Sequence, residues 1–497
     1  MELDLFLPAL LNVCTSPVML GGIILGMTLG FIFGALPGLT ATLGVALLTP
    51  LTFPLPAEQA LAMMIALYCG AMTGGAIPAI LLNIPGTPSA VVTTLDGFPM
   101  AKKGQSTRAY GWALLASMSG GLLSWLALAT LAPLLARWAL KLGAPEYAAV
   151  ALLGMTIIAS ISPGRVLRGL IAALIGLGLS VVGFDQISGE GRWMFNSLSL
   201  SKGIGIMPAL IGFLVIPEII NSIAREVKMD NIPVTLRNLF PPLKEILQQK
   251  WCLLRSGAIG IFVGMIPAVG GSVAAFLSYD QAKRYDKDGD KYGTGMPGGI
   301  IASEAANNGV SGGALIPLLT LGIPGDAVTA MLIGGLMIHG LQPGPRLFAT
   351  SGDIMWLLIA SIFVANVLMG AIGVLGFRFF VKAMSLRNYF KVPALLVLTI
   401  VGTYSLSNLW FDVMVMLILG VCGFIMMLGN FPVYPIVIGV ILGPVFEAET
   451  RRALTVSGGD WSIFITRPVS ASVLLLTMLM LFGPPLVRAL KKQIKKV

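Results

Sequence analysis

Charged residues are scarce in this chain of 497 residues: only 11% are Asp, Glu, Lys or Arg, against about 25% in soluble domains. The four cysteines lie far apart, and their spacing predicts neither a zinc site nor a disulfide framework. A phosphate-binding loop of the Gly-x4-Gly-Lys-Ser/Thr type is missing, so ATP is not an evident energy source. If the protein moves a solute, a gradient drives it.

Hydrophobic residues make up 56% of the chain and form long blocks, the first at Val18–Leu36 and the last at Val469–Leu481. A spanning helix needs about 20 apolar residues, and some blocks are shorter than that. We therefore predict an all-α polytopic membrane protein with about 10–13 membrane segments, the short ones being half-helices or re-entrant pieces.

Lys and Arg are absent from residues 1–101 and then concentrate at 102–108, 225–255 and 488–496. Because cytoplasmic loops of membrane proteins collect these residues, we expect the three places, and with them the C-terminus, on the cytoplasmic side. The N-terminus carries acids and no base, so we expect it outside, without an ordinary cleavable signal peptide. Orientation explains the net charge of +10, and no nucleic-acid partner is predicted.

Two interrupted apolar stretches repeat each other. Residues 73–90 read TGGAIPAILLNIPGTPSA and residues 312–329 read GGALIPLLTLGIPGDAVT, with the same prolines 239 positions apart (317 − 78 = 324 − 85). Upstream, GALPGLTAT at 34–42 matches GMIPAVGGS at 264–272, 230 positions apart (264 − 34 = 267 − 37). A single Gly-Pro cluster can be a simple kink, but two clusters in the same order in two halves point to a transporter binding site.

The repeat predicts three parts of the chain: a first half at 1–224, a polar basic cytoplasmic connection at 225–255, and a second half at 256–497 that ends in a basic tail. Broken-helix motifs fall at 34–42 and 73–90 in the first half, and at 264–272 and 303–329 in the second. Since the first half follows a base-free terminus and the second a basic connection, we expect the halves to enter the membrane from opposite sides, as an inverted repeat.

Broken helices in a membrane can bind ions. Irregular backbone survives at membrane depth only inside protein or along a wet cavity. A restarting helix presents free N–H groups and the positive end of its dipole, which suits an anion, and carbonyl groups at the ends of broken helices can hold Na⁺. Neutral donors lie near both breaks, and no Lys or Arg occurs at 292–345. These features predict a carboxylate site built from helix ends and neutral side chains.

Two acids lie inside the second repeat, Glu304 and Asp326. Ionisable residues within the membrane are functional candidates, so either could hold Na⁺ or carry a proton. Asp326 follows Pro-Gly and could equally cap the next helix. His339, the single histidine, ends an apolar run and is interpreted as a helix-end residue. We predict no cofactor and no metal beyond a Na⁺ coupling ion.

Three long stretches of this chain resemble the large membrane subunit of the tripartite tricarboxylate transporters, the TctA family. They are residues 68–105 (YCGAMTGGAIPAILLNIPGTPSAVVTTLDGFPMAKKGQ), 264–284 (GMIPAVGGSVAAFLSYDQAKR) and 303–345 (SEAANNGVSGGALIPLLTLGIPGDAVTAMLIGGLMIHGLQPGP). Together with the length and the polar loop near 225–255, the resemblance covers nearly the whole chain.

The resemblance implies partners and a substrate region. Such subunits work with a small membrane subunit (TctB-like) and a periplasmic solute-binding protein (TctC-like) in the bacterial inner membrane, importing a citrate-like di- or tricarboxylate on a Na⁺ or H⁺ gradient. Helix ends, neutral donors and the resemblance together make the candidate substrate-binding residues Thr40, Thr42, Thr73, Gly74, Asn83, Pro85, Gly86, Thr87, Ser89, Ser272, Asn307, Asn308, Ser311, Gly312, Pro324, Gly325 and Thr329.

Other functions are compatible with parts of the pattern. An intramembrane hydrolase could use Ser272 as nucleophile and His339 as base, provided that the two lie within hydrogen-bond reach. Paired broken helices also occur in channels, which a saturable flux that needs a cation gradient would exclude. We expect a transporter that works by alternating access, and no enzyme.

Overall fold

The computed structural model describes residues 3–160, 166–185, 187–223, 239–267, 269–384 and 388–494. In these ranges the chain is almost entirely helical, and the only strands, β1 (Gly183–Phe184) and β2 (Gly191–Arg192), pair antiparallel. Parts of three predicted features lie outside the described residues: 225–238 of the polar connection, Ala268 of the motif at 264–272, and 495–497 of the basic tail.

The helices are numbered in chain order. Those before residue 224 are α1 (Leu3–Thr15), α2 (Pro17–Ala35), α3 (Ala41–Thr52), α4 (Ala57–Gly74), α5 (Ala76–Leu82), α6 (Val91–Met100), α7 (Ser106–Ala139), α8 (Ala144–Ser160), α9 (Val166–Ser180), α10 (Ile206–Leu210) and α11 (Ile216–Ile223). Short 3₁₀ turns occupy Pro88–Ala90 and Leu198–Leu200, and π-helical turns occupy Ala101–Gln105 and Ile211–Val215.

The helices after residue 238 are α12 (Leu243–Gln248), α13 (Lys250–Gly264), α14 (Gly270–Tyr285), α15 (Pro297–Leu321), α16 (Ala327–Ile338), α17 (Arg346–Thr350), α18 (Gly352–Met384), α19 (Asn388–Ser407), α20 (Trp410–Leu428), α21 (Tyr434–Val456), α22 (Ile463–Thr466) and α23 (Pro468–Ile494). A 3₁₀ turn at Gly289–Lys291 lies in the connection between α14 and α15.

The protein is an all-α polytopic membrane protein, as predicted. Within the described ranges, seven helical stretches are long and apolar enough to cross a membrane: Pro17–Ala35, Ala57–Leu82, Pro88–Ala139, Ile206–Ile223, Gly352–Met384, Tyr389–Ser407 and Trp410–Leu428. Six shorter apolar helical segments accompany them: Asp4–Thr15, Ala41–Thr52, Ala144–Ile157, Val166–Ser180, Ala327–Ile338 and Pro468–Leu481. Short apolar pieces beside full spans are what the uneven block lengths predict.

The chain divides into two compact units. The first contains Met1–Ala136 and Glu218–Leu406, and the second contains Arg137–Pro217 and Ser407–Val497. Each unit draws on both predicted halves, and all four broken-helix motifs lie in the first unit. The division into halves at 1–224 and 256–497, and their opposite orientation, stay predictions.

Glycines bring two helix pairs of the first unit into backbone contact. On α2, a Cβ added at Gly30 would lie 2.3 Å from the Leu67 carbonyl oxygen of α4, closer than any side chain allows. On α13, a Cβ at Gly260 would lie 2.2 Å from the Ala306 carbonyl oxygen of α15. Small residues at a contact between two helices let the helix backbones approach closely in a membrane. The two pairs correspond under the 230- and 239-residue offsets, so the sequence repeat is also a repeat of packing.

The helix that follows each break packs on the opposite half. α6 lies against α14 and α15, whereas α16 lies against α3 and α4. The long helices continue the exchange: α18 packs on α2 and α4, and a Cβ added at Gly120 of α7 would lie 2.1 Å from the Ala305 carbonyl oxygen of α15. Each post-break helix is therefore buried in part by the opposite half.

In the second unit, α21 packs against α8 and α9. The strand pair β1–β2 is held to α21 by two ion pairs, Asp185–Arg451 at 2.7 Å and Arg192–Glu447 at 2.7 Å. The Ser188 hydroxyl and Arg451 hold the pKa of Asp185 below its usual range, so this carboxylate stays charged.

The close approach of α2 to α4 predicts the effect of one added methyl group. Gly30→Ala should destabilise the protein by about 1–3 kcal/mol, because the new Cβ overpacks against the α4 backbone. The matched control is Gly21→Ala on the same helix, where nothing lies within 4 Å of the new Cβ. Thermal unfolding of the detergent-solubilised protein measures the difference. Equal melting temperatures for the two variants would contradict the described α2–α4 contact.

Candidate substrate site at the paired helix breaks

The first break is a short hydrogen-bonded turn between α5 and α6. Helix α5 ends at Asn83, whose backbone is left-handed (φ 58°, ψ 28°). The Ile84 N–H donates to the Pro78 carbonyl at 3.3 Å, and the Gly86 N–H donates to the Gly75 carbonyl at 3.2 Å. The interruption thus supplies its own backbone partners, as a break at membrane depth requires.

The second break has the same geometry 239 positions later. Helix α15 ends at Gly322, also left-handed (φ 73°, ψ 18°), and the Ile323 N–H donates to the Pro317 carbonyl at 3.3 Å. Asn83 and Gly322 are therefore equivalent end residues. Asn is the usual non-glycine choice for this conformation, so Asn83 has a backbone role, and its side chain is exposed.

Glycines allow both breaks to pack closely against the upstream motifs at 34–42 and 264–272. A Cβ added at Gly86 would lie 2.0 Å from the Gly34 carbonyl oxygen, and one at Gly325 would lie 2.5 Å from the Gly264 carbonyl oxygen. The predicted site residues Gly86 and Gly325 thus allow each Ile-Pro-Gly turn to touch the end of its own Gly-x-x-Pro helix. Pro85 is partly buried and Pro324 is buried in these turns.

Candidate residues at the start of the upstream helices have local partners. Thr40 caps α3: its hydroxyl accepts from the Leu43 N–H at 3.2 Å and donates to Glu218 Oε2 at 3.1 Å. Thr42 is buried in the first turn of α3. Its counterpart Ser272 is partly exposed in the first turn of α14.

Four of the predicted polar residues meet where α4 crosses α15. The Thr73 hydroxyl donates to Asn308 Oδ1 at 3.0 Å, and Asn307 Nδ2 donates to the Met72 carbonyl at 3.0 Å. The Ser311 hydroxyl donates to the Asn308 carbonyl at 2.6 Å. All of these side chains are buried, so in this conformation they join the two helices. Gly74 and Gly312 are buried on the same two helices.

The hydroxyls of the first break lie beside this crossing. Thr87 and Ser89 are buried, with their hydroxyl oxygens 3.1 Å apart, and the turn Pro88–Ala90 packs against α14 and α15. A Cβ added at Gly271 of α14 would lie 3.0 Å from Asn307 Oδ1 and 3.1 Å from Ser89 Cβ. The structure thus brings residues of both repeats together.

Asp326 caps helix α16. Its Oδ1 accepts from the Thr329 N–H at 2.8 Å, and the Thr329 hydroxyl in turn accepts from the Asp326 N–H at 2.8 Å, which completes a capping box. Its Oδ2 accepts from the Tyr68 hydroxyl at 2.5 Å. The sequence left capping and cation binding open for Asp326; the geometry shows the cap, and cation binding stays a prediction.

Glu304 is fully buried between three helices. Its carboxyl group contacts the hydroxyl of Thr93 on α6, the hydroxyl of Ser117 on α7 at 3.3 Å, and Asn307 Nδ2 on α15 at 3.5 Å. Every one of these partners is uncharged.

Ser272 and His339 do not form a catalytic pair in the described residues. His339 is the end residue of α16, and its Nε2 has no hydrogen-bond partner in that part of the chain. The activated nucleophile that a hydrolase needs is therefore not assembled from these two side chains.

The sequence pattern assigns no role to two residues of this region. Tyr68 lies in a stretch that resembles the family, and its hydroxyl donates to Asp326 Oδ2. Asp96 is fully buried on α6, and its Oδ1 accepts from the N–H groups of Gly293, Gly295 and Met296 at 2.7–2.9 Å. The signal for Asp96 was present: an acid in an apolar, base-free segment needs a partner.

Comparison with known protein families identifies the family of this chain. The model of the tripartite tricarboxylate transporter TctA family matches residues 20–438, which include every broken-helix motif. The chain belongs to the TctA family. It is therefore a component of a tricarboxylate transporter system and a multi-pass membrane protein, as the resemblance predicted.

Two relatives from Agrobacterium vitis are similar to this TctA chain. One, named an uncharacterized 52.8 kDa protein in the TAR-I ttuC' 3'region, is 34% identical over 459 residues, covering 92% of this chain and 91% of the relative. The other, an uncharacterized protein in the TAR-II ttuC' 3'region, is 33% identical over 215 residues, covering 43% of this chain and 89% of the relative. No solved structure matches the chain.

The left-handed end of α5 predicts a difference between two variants. Asn83→Ala should lower the stability by about 1–2 kcal/mol, because alanine disfavours the left-handed backbone. Asn83→Gly should keep the wild-type stability, as glycine does at the equivalent Gly322. Thermal unfolding in detergent measures both, and an equal loss in the two variants would contradict a backbone role.

The cap on α16 predicts that Asp326→Asn is better tolerated than Asp326→Ala. Asparagine is as good an N-cap as aspartate, whereas alanine costs about 0.5–2 kcal/mol. Melting temperatures of the two purified variants test this. If Asp326→Asn unfolds as early as Asp326→Ala, the charge and not the cap stabilises this break.

Proposed function

We propose that this TctA chain is the permease subunit of a binding-protein-dependent secondary transporter that imports a di- or tricarboxylate. The observation that carries the proposal is the pair of matched helix breaks, with equivalent left-handed ends at Asn83 and Gly322 and equivalent backbone hydrogen bonds. Interrupted segments at corresponding places of two repeats are where secondary transporters bind their substrates.

Recognition of the substrate rests on neutral groups. The accessible part of the first break includes Asn83 and Pro88, and Ser272 is partly exposed in the first turn of α14. Free N–H groups at a helix start favour a carboxylate through hydrogen bonds and the helix dipole. Asn307 lies beside the first turn of α14, where a Cβ at Gly271 would be 3.0 Å from its Oδ1. Thr73, Asn307 and Asn308 become available when the crossing of α4 and α15 loosens.

In the proposed alternating-access cycle, the packing of each post-break helix on the opposite half couples the movements of the two halves. Because α6 packs on α14 and α15, and α16 packs on α3 and α4, a movement of one half carries the post-break helix of the other with it. The substrate carboxylates bind at the breaks, which the movement exposes first to the periplasm and then to the cytoplasm.

Two partners complete the system: a small TctB-like membrane subunit, and a periplasmic TctC-like binding protein that captures the carboxylate. The chain resides in the bacterial inner membrane, with its N-terminus in the periplasm and its C-terminus in the cytoplasm. A Na⁺ or H⁺ gradient drives uptake, with Asp326 and Glu304 as the candidate coupling groups.

Uptake of labelled citrate and smaller di- and tricarboxylates into proteoliposomes tests the proposal. The chain is reconstituted with its small subunit and binding protein, and Na⁺ and pH gradients are imposed separately. We expect saturable uptake that needs one of the two gradients. Saturable flux without any gradient dependence would instead favour a carboxylate channel, and no flux under either gradient would refute the proposal.

Two variants locate the site within the same assay. Asn83→Gly preserves the backbone but removes the amide, and Asn308→Ala removes the partner of Thr73. Each should lower the apparent affinity for the carboxylate by about tenfold, the loss of one hydrogen bond to a charged group. Wild-type kinetics in both variants would place the site elsewhere.

A further inference from the structure

A chain of oxygen atoms leads from Glu304 into its own helix. Thr93 Oγ1 is hydrogen-bonded to Glu304 Oε1 and lies 2.9 Å from Ser303 Oγ. The Ser303 hydroxyl donates to the Ile300 carbonyl at 3.0 Å. All three side chains are fully buried. This row of oxygen atoms has three oxygen-to-oxygen contacts, and its burial shields it from water.

Counting hydrogens favours a neutral Glu304. A hydroxyl carries one hydrogen. The Thr93 hydroxyl donates to Glu304 Oε1, and the Ser303 hydroxyl donates to the Ile300 carbonyl, so the contact between Thr93 and Ser303 is left without a hydrogen. A protonated Glu304 supplies a third hydrogen, and all three contacts can then be satisfied in one direction.

When Glu304 is ionised, the three contacts share only two hydrogens, so one of them becomes a repulsion between two oxygens. It would also be a buried negative charge with no Lys or Arg hydrogen-bonded or ion-paired to it in the described part of the chain. Burying an unpaired charge is costly, and such groups become neutral instead. Ser117 and Asn307 donate to Oε2, which accepts from them equally well as the carbonyl oxygen of a neutral acid.

Six titratable groups on the helices packed against α15 have partners other than Glu304. The contacts are Tyr68 with Asp326, Cys69 with Ser311, Tyr279 with Asp96, Tyr110 with the Gly373 carbonyl, Cys252 with the Gly298 carbonyl, and Arg255 over the ring of Tyr285. Asp96 differs from Glu304 in that three backbone N–H groups and a tyrosine hydroxyl donate to it. Three of those donors are backbone N–H groups, which can only donate, whereas the hydroxyls around Glu304 can donate or accept.

We propose that Glu304 is the proton-binding group that couples carboxylate uptake to a proton gradient. The proposal rests on the proposed transport function and selects the proton as coupling ion. The carboxylate of Glu304 takes one proton from the periplasmic side and becomes the neutral acid. It releases that proton to the cytoplasmic side after the conformational change, so that one proton crosses with the substrate.

The position of Glu304 explains how its proton affects the breaks. Thr93 belongs to α6, the helix that follows the first break, so loss of the proton weakens the attachment of α6 to α15. Asn307 joins Glu304 to the Met72 carbonyl, just before the start of α5. Both sides of the first break are therefore linked to one carboxyl group.

The test combines Glu304→Gln with two measurements. Glutamine keeps a hydrogen for Thr93 but cannot exchange a proton, so the variant should fold. In proteoliposomes of the reconstituted complex, a trapped pH dye reports protons that enter with carboxylate flowing down its own gradient. Proton entry should fall about tenfold or more in Glu304→Gln, while downhill carboxylate flux persists. The infrared band of a protonated carboxyl group should be present in wild type at neutral pH and reduced in the variant.

The control is Asp280→Asn on α14, an exposed acid paired with Arg284, which should leave proton entry and the infrared band unchanged. Wild-type proton entry in Glu304→Gln, an unchanged infrared band, or wild-type uptake that moves Na⁺ and no proton would each overturn the role of Glu304. Absence of carboxylate flux in wild type, with the infrared band present, would refute the proposed function while leaving Glu304 a buried neutral acid.

Discussion

The satisfaction of backbone hydrogen bonds is the constraint on which the rest of this structure depends. A helix interrupted within a bilayer exposes N–H and C=O groups that lipid cannot bind. Here each interruption supplies internal partners: the residue after the left-handed end bonds back to a proline carbonyl of its own helix, at Ile84 and again at Ile323. Glycines then bring the turn against a neighbouring helix end. The breaks are thereby stabilised without any hydrogen-bond partner from the lipid.

The breaks and their pairing could be predicted from sequence because proline and glycine act locally. Pro78, Pro85 and Gly86 restrict or free the backbone wherever they occur, so their recurrence at a fixed offset predicts recurring geometry. The family followed from the long motifs around the same breaks, and the helical class followed from the apolar blocks. The capping alternative for Asp326 was accessible for the same reason, since a cap depends on neighbours three residues away.

Contacts between distant segments could not be predicted in this way. Nothing in the residues next to Asp96 indicates the three N–H groups that bind it some 200 positions later, or that Tyr68 donates to a carboxylate 258 positions away. The two compact units could not be predicted from the sequence either, because each combines two separate stretches of the chain. Such partnerships depend on which helices pack together, and one sequence alone does not reveal that arrangement.

The exchange of post-break helices has a consequence for biosynthesis. Thr93 on α6 and its partner Ser303 on α15 are 210 residues apart. At a synthesis rate of about 5–20 residues per second, the ribosome makes the second partner about 10–40 s after the first. During that interval α6 carries buried-type polar side chains, Thr93 and Asp96, without their native neighbours. The nascent first half therefore cannot complete its own packing, and membrane insertion of this protein must hold an unfinished half until the other arrives.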